Sequence, residues 1–238
     1  MNSLSKTKNI IVKNLGFINY NECYEYQKKI QNEIIQIKLN NRNNKIKRKT
    51  PNYLLFVEHN HVYTLGNSGD NSNLLFDKTM LEKKGIDFHK TNRGGDITYH
   101  GPGQMVCYPI LDMENFYTDI HKYLRDLEDI IINTLSFFGI NASANSEETG
   151  VWLDVGNIKE RKICAMGIKV SRWVTMHGLA LNVNTDLSYF DGIIPCGISN
   201  KGVTSISNEL NKKIDIELVQ KVFIEKFLKQ FNATIDSN

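Results

Sequence analysis

Twelve residues, Arg93-Gly94-Gly95-Asp96-Ile97-Thr98-Tyr99-His100-Gly101-Pro102-Gly103-Gln104, hold four glycines, one proline, an arginine and a histidine. No other stretch constrains the fold of this chain as much. Glycine loses the most backbone entropy on folding, so this density implies backbone brought close to something, or positive φ. The flanks are apolar and β-prone: Ile86 and Phe88 before the run, Met105, Val106, Tyr108 and Ile110 after it. The run therefore reads as a loop between strands, where a scaffold holds it over a ligand. Two readings stand: a large hairpin turn, or a substrate loop with exposed N–H donors.

Residues 10–16 read as a first strand. Cys23, Tyr26, Ile30, Ile34 and Ile37 recur at helical spacing, with Asn19 or Asn21 as cap. Residues 40–52 are polar and of low complexity, and read as a mobile basic loop. Strands are expected at 53–57 and at 62–65, the second as continuation or partner of the first. A turn-rich loop is expected at 66–73, and a short helix from Asp77 to Lys84 ended by Gly85. From Thr118 to Phe138, Ile120, Leu124, Leu127, Ile131 and Leu135 mark the clearest helix, closed by Gly139. Further strands are expected at 151–153, 162–170 and 173–183, with a turn at 154–161. Pro195 to Ile198 reads as a loop; helices follow, one capped by Thr204 and ending at Leu210, one running from Asp215 through Phe227. Strands and helices do not alternate strictly, which disfavours a doubly wound parallel sheet. An α+β domain with a mixed β-sheet flanked by helices fits better, as a single domain over residues 1–238.

No apolar run approaches the ~18 residues that span a bilayer, so no membrane role is expected. Residues 1–8 are polar and lack the apolar core of a signal peptide. The absence of acids before Glu22 faintly resembles a transit peptide, but the stretch is short, and the expected location is cytoplasmic. Cys23, Cys107, Cys164 and Cys196 form no C-x-x-C pair or zinc spacing and read as free thiols. The histidines offer no ligand spacing, so no metal is expected. Residues 1–50 carry a balance of +8 against −5 for the remainder. Lys38, Arg42, Lys45, Lys47, Arg48 and Lys49 supply much of it. This is either a solvated loop or a docking patch for an acidic macromolecule. Nucleic acid is not expected, because no aromatics interleave and no nucleic-acid-binding motif matches.

The run from Arg93 to Ile110, R-G-G-x-x-T-x-H-G-P-G-Q-x-V-x-Y-P-I, resembles the signature of the octanoyl-(acyl-carrier-protein) transferases of lipoate biosynthesis. Three more stretches agree in order. They are Glu58-His59 with Thr64 and Gly66; Lys162-Ile163 with Gly167 and then His177-Gly178-Leu179-Ala180-Leu181-Asn182; and Pro195-Cys196-Gly197-Ile198 with Val203-Thr204-Ser205. Together they span about residues 10–230. Asn60 and His61 stand where the family usually has prolines, which leaves the shape of that loop open. The resemblance implies a fold shared with biotin and lipoate protein ligases. It also implies transfer of an octanoyl group from octanoyl-acyl carrier protein to a specific lysine of lipoyl domains of 2-oxoacid dehydrogenases and of the glycine cleavage H protein.

From its neighbours alone, Cys196 is a loop thiol of no stated role. The resemblance makes it the nucleophile, and makes Lys162, rather than Lys159 or Arg161, the catalytic lysine. A nearby cation lowers a thiol pKa and supplies the attacking thiolate. A thioester is already activated, so no ATP, metal or other cofactor is implied. Tetrahedral intermediates need donors aimed at the oxyanion. Backbone N–H groups of Arg93–His100, Ala165–Met166–Gly167 and Gly178–Leu179–Ala180 are the expected supply, and these segments the expected substrate site. Met105, Val106, Met166, Leu179, Ala165 and Ala180 are candidates for an apolar acyl slot. His100 and His177 are each read as structural or as partners of substrate or Lys162. The alternatives are an ATP-dependent ligase on the same fold, a Cys–Lys hydrolase releasing free octanoate, and a non-catalytic binder.

Overall fold

The computed structural model describes residues 6–44, 47–195 and 201–236. β1 (Asn9–Phe17), α1 (Tyr20–Asn43) and β2 (Asn52–Glu58) form a strand–helix–strand unit with parallel strands. β3 (Val62–Leu65) follows, then α2 (Lys78–Lys84), β4 (Asp87–Lys90), β5 (Ile97–His100) and β6 (Gln104–Ile110). After α3 (Ile120–Phe137) come β7 (Ser143–Ala144), β8 (Val151–Leu153), β9 (Arg161–Ser171) and β10 (Val174–Asn182). β11 (Gly202–Val203), α4 (Ile206–Leu210), α5 (Ile216–Phe231) and β12 (Thr234–Ile235) complete the described chain.

Among the described residues, one mixed sheet has the order β12-β1-β2-β6-β10-β9-β8-β7, with β11 parallel to β9. A smaller sheet has the order β4-β3-β5. Side-chain alternation sorts the large sheet into two faces. Leu54, Phe56, Met105, Cys107, Leu179 and Leu181 pack into a core that includes residues of α3 and α5. Leu55, Val57, Val106, Tyr108, Ile110 and Ala180 face α1. The expected mixed sheet with flanking helices is therefore observed.

Helix ends follow local chemistry. The Asn19 side chain caps α1, Asp77 caps α2 and Asp215 caps α5, each accepting from a backbone N–H of the first turn. Gly85, at φ 63°, ends α2 in the left-handed region. Ser205, rather than Thr204, caps α4.

Four expectations need correction. β3 is neither continuation nor partner of β2; it pairs β4 and β5 in the second sheet. The run 93–104 is not loop throughout, because 97–100 forms β5 between two tight bends. Residues 40–43 of the expected basic loop belong to α1, and Lys45 lies outside the described residues. The buried side of α1 also includes Gln27, Gln31 and Lys38, which a stripe of apolar residues does not reveal. Each has a partner: Gln27 Oε1 accepts from His177 N at 3.1 Å, Gln31 Nε2 donates to Val174 O at 2.9 Å, and Lys38 pairs with Asp112.

Candidate active site

Two in-register pairs of small residues, Ala165–Ala180 and Gly167–Gly178, form part of the wall of a cleft on the α1 side of the large sheet. Arg93, Gly95, Asp96, Ile97, Thr98, His100, Met166 and Leu179 also line it. Gly167 has no room for a side chain, since a Cβ there would lie 2.6 Å from Gly94 O. That contact seats the Arg93–Gly95 turn directly on β9, where Gly94 N donates to Ile168 O at 2.9 Å. Arg93 is buried and holds the turn to β3, donating from Nη2 to Thr64 O at 2.5 Å and to Thr64 Oγ1 at 3.0 Å.

A smaller chamber shares Thr98, Ala165 and Ala180 with the cleft, and Lys162, Gln104, Asn182 and Pro195 also line it. Lys162 reaches this face because of a bulge. Val151 pairs with Cys164 but Trp152 pairs with Lys162, so β9 holds one extra residue, Ile163. Ile163 and Cys164 both enter the α3-side core, and Lys162 turns to the chamber with Ala165. Simple alternation along β9 would put Lys162 and Ala165 on opposite faces. Cys196, Gly197 and Ile198 lie outside the described residues; Pro195, which precedes Cys196 in the chain, lines the same chamber as Lys162.

Other placements differ from expectation. Tyr99 points away from the cleft into the core of the small sheet, and its ring stacks on Tyr189. Gly94 is not part of the cleft lining, and its N–H is already spent on Ile168. Leu179 and Ala180 pair with β6 on one side and β9 on the other, so their N–H groups serve the ladder and not an oxyanion. Met105 belongs to the α3-side core and Val106 packs towards α1; neither lines the cleft. Tyr20 and Tyr108 line it without having been expected, Tyr20 because α1 begins at its edge.

His59, His100 and His177 are neutral. Burial pushes His59 down to about 4, and His100 and His177 to about 3. Gln104 Nε2 donates to Tyr99 O and Asn182 Oδ1, which turns its Oε1 towards His100 Nδ1 at 2.8 Å. His100 therefore donates from Nδ1 and accepts at Nε2 beside Thr64 Oγ1. Asn182 Nδ2 donates on to Thr204 O, and Thr204 N donates to Lys162 O at 2.9 Å. This chain of hydrogen bonds ties the expected signature histidine to the Lys162 strand. His177 has φ 61° inside a central strand, opposite Ile168, and its Nε2 lies 2.8 Å from Asn92 Oδ1. A non-glycine residue in this region is strained by about 1–2 kcal/mol. His177→Gly is accordingly expected to be more stable than His177→Ala by about 1 kcal/mol in urea denaturation; equal stabilities would show that the strain is absent.

Because the unfolded histidine pKa is about 6.5 and the folded values are lower, the unfolded state takes up protons first as pH falls. Stability from this source is complete above pH 6.5 and is lost progressively towards pH 4 and then 3. Between pH 7.5 and 5.0 the loss should be on the order of 1–2 kcal/mol per histidine, read as a fall in urea midpoint. A constant midpoint over that range would contradict the assignment.

Six cations, Lys6, Lys38, Arg42, Lys47, Arg48 and Lys49, line a separate cleft with Asp112 and Glu114. Lys38 is buried and paired with Asp112 and Glu114, so it is not a docking charge. Arg42 lies 22 residues beyond Tyr20 on α1, about 33 Å along the axis, so this cleft is remote from the active-site cleft. Among the described residues no cluster of His, Cys, Asp and Glu has the makings of a metal site, and no helix is long and apolar enough to cross a membrane.

The family model for the lipoyl protein ligase A/B catalytic domain matches residues 34–228. An octanoyltransferase of Christiangramia forsetii is 56% identical over 229 residues, covering 96% of this chain and 98% of that protein. One of Cytophaga hutchinsonii is 48% identical over 233 residues, covering 97% and 96%. The solved structure of a bipartite lipoate protein ligase from Thermoplasma acidophilum superposes with TM-score 0.70 at 17% identity, covering 98% of this chain and 86% of that one. Biotin protein ligase from Aquifex aeolicus, in complex with biotin and ATP, gives TM-score 0.52 at 13% identity, covering 94% and 71%. At these identities the two structures show a shared fold. The chain belongs to the lipoyl protein ligase A/B catalytic domain family and, within it, to the octanoyltransferases.

Proposed function

We propose that this chain, acting as a single domain, moves an octanoyl group from octanoyl-acyl carrier protein to one lysine of a lipoyl-accepting domain through a thioester on Cys196. The thiolate of Cys196 attacks the thioester carbonyl, a new C–S bond forms, and the carrier's C–S bond breaks. The departing thiolate takes a proton from the Lys162 ammonium. The acceptor amine then attacks the enzyme thioester, an amide C–N bond forms, Cys196 leaves as thiolate, and neutral Lys162 accepts the amine proton. The lipoyl domains of 2-oxoacid dehydrogenases and the glycine cleavage H protein are the acceptors this reading names. The cleft formed by Ala165, Gly167, Gly178 and Ala180 with Arg93, Asp96, Thr98 and His100 holds the acyl chain.

The observation that supports it most is the state of the other thiols. Cys23, Cys107 and Cys164 are fully buried, and burial pushes all three thiols up, Cys23 to about 12. None of them is available as a thiolate at neutral pH. The remaining cysteine follows Pro195, which shares a chamber with Lys162. The test is octanoyl transfer to a lipoyl domain without ATP, wild type beside Cys196→Ser. Transfer by wild type alone supports the reading; transfer that needs ATP, or persists at a normal rate in Cys196→Ser, overturns it.

A further inference from the structure

We propose that Trp152 is a positioning residue for Lys162, its ring face holding the ammonium at the chamber. The inference rests on the role given to Lys162 above. Trp152 is Lys162's cross-strand partner in the β8–β9 ladder. It is 1% exposed, and Lys162 Nζ lies 4.4 Å from its ring centroid. An ammonium removed from water needs compensation, and the negative face of an indole supplies it best among the aromatic rings.

Gly150, at φ 125°, packs its backbone beside the lysine stem: a Cβ there would lie 2.7 Å from Cys164 O, and at an ordinary contact distance of 3.5 Å from Lys162 Cε. Gly150 N donates at 2.9 Å to Glu128 Oε1, a fully buried carboxylate that also pairs with Arg125. α3 thus anchors the backbone that the stem crosses. Lys201 Nζ lies 4.9 Å from the same ring, but Glu148 and Glu160, each at 2.9 Å, neutralise it. The bulge at Ile163 then sets the Lys162 side chain between this ring and the chamber.

The experiment uses Trp152→Phe and Trp152→Leu beside Lys162→Ala. It reads single-turnover acylation across pH, and titrates the Lys162 amine directly by isotope-edited NMR of the lysine side chains. A weaker or absent ring face favours the neutral amine, so the Lys162 titration and the alkaline limb of the rate profile move to lower pH. The expected order is wild type, then Phe, then Leu, with Leu shifted by about one pH unit. At a pH on that limb the Leu variant should be about tenfold slower, with KM little changed, while Phe recovers most of the rate. If Trp152→Leu does not fold, the Phe variant alone decides, through a smaller shift in the same direction. Titrations that coincide in wild type and in the folded variants overturn the inference, even if Lys162→Ala is inactive. A fully active Lys162→Ala sinks the catalytic reading instead, and the NMR titration still reports on the Trp152 contact.

Discussion

Replacing Lys162 by methionine is expected to lower the rate of acyl transfer by about 10²–10⁴-fold while leaving the fold intact. Methionine is unbranched and of similar length, so it keeps an apolar stem beside the Trp152 ring and fills the chamber. What is lost is the ammonium, to which the proposed mechanism assigns both the activation of the attacking thiolate and the proton for the departing thiol. The rate is measured in a single turnover with octanoyl-acyl carrier protein, and the fold by thermal unfolding. A folded variant within threefold of wild type would remove Lys162 from the mechanism.

The largest expected effect on stability lies at the other end of α1. Lys38 is buried and pairs with Asp112, itself 4% exposed; Glu114 Oε2 lies 3.1 Å from the same ammonium. Thr50 Oγ1 donates to Asp112 Oδ2 at 2.8 Å, so the pair fastens α1, the segment before β2 and the end of β6 together. Lys38→Met leaves the Asp112 carboxylate buried without its cation, which should cost about 3–5 kcal/mol. For a chain of this size that lowers the melting temperature by about 6–20 °C. Adding Asp112→Asn removes the unpaired charge and should recover a large part of the loss. A single variant that melts within 2 °C of wild type, or a double variant no better than the single, would contradict the account.

The apolar rhythm made much of the fold legible. α3 and α5 announce themselves by spacing and caps, and Asp77 to Gly85 bracket α2. Polar residues with buried partners were not legible. Gln27 and Gln31 fall outside the apolar stripe, and Lys38 reads as part of a basic loop or patch, because their partners on β10 and after β6 are distant in sequence. The short strands β7, β11 and β12 contain two residues each and depend on pairing with neighbours far along the chain. At the site, the motifs marked most residues that line the cleft. They also drew in Gly94 and Tyr99, which alternation and backbone pairing turn elsewhere. The bulge that aims Lys162 has no local sequence signal, since it exists only in the register between β8 and β9. Tyr20, at the cleft, and Trp152, against Lys162, belong to elements whose position relative to the site only the assembled sheet defines.

The most direct test of the account is the intact mass of the purified chain after mixing with octanoyl-acyl carrier protein, wild type beside Cys196→Ala. The account predicts one octanoyl adduct on wild type alone, released by hydroxylamine as a thioester is. An adduct that survives in Cys196→Ala, or transfer that proceeds with no adduct formed, would contradict it.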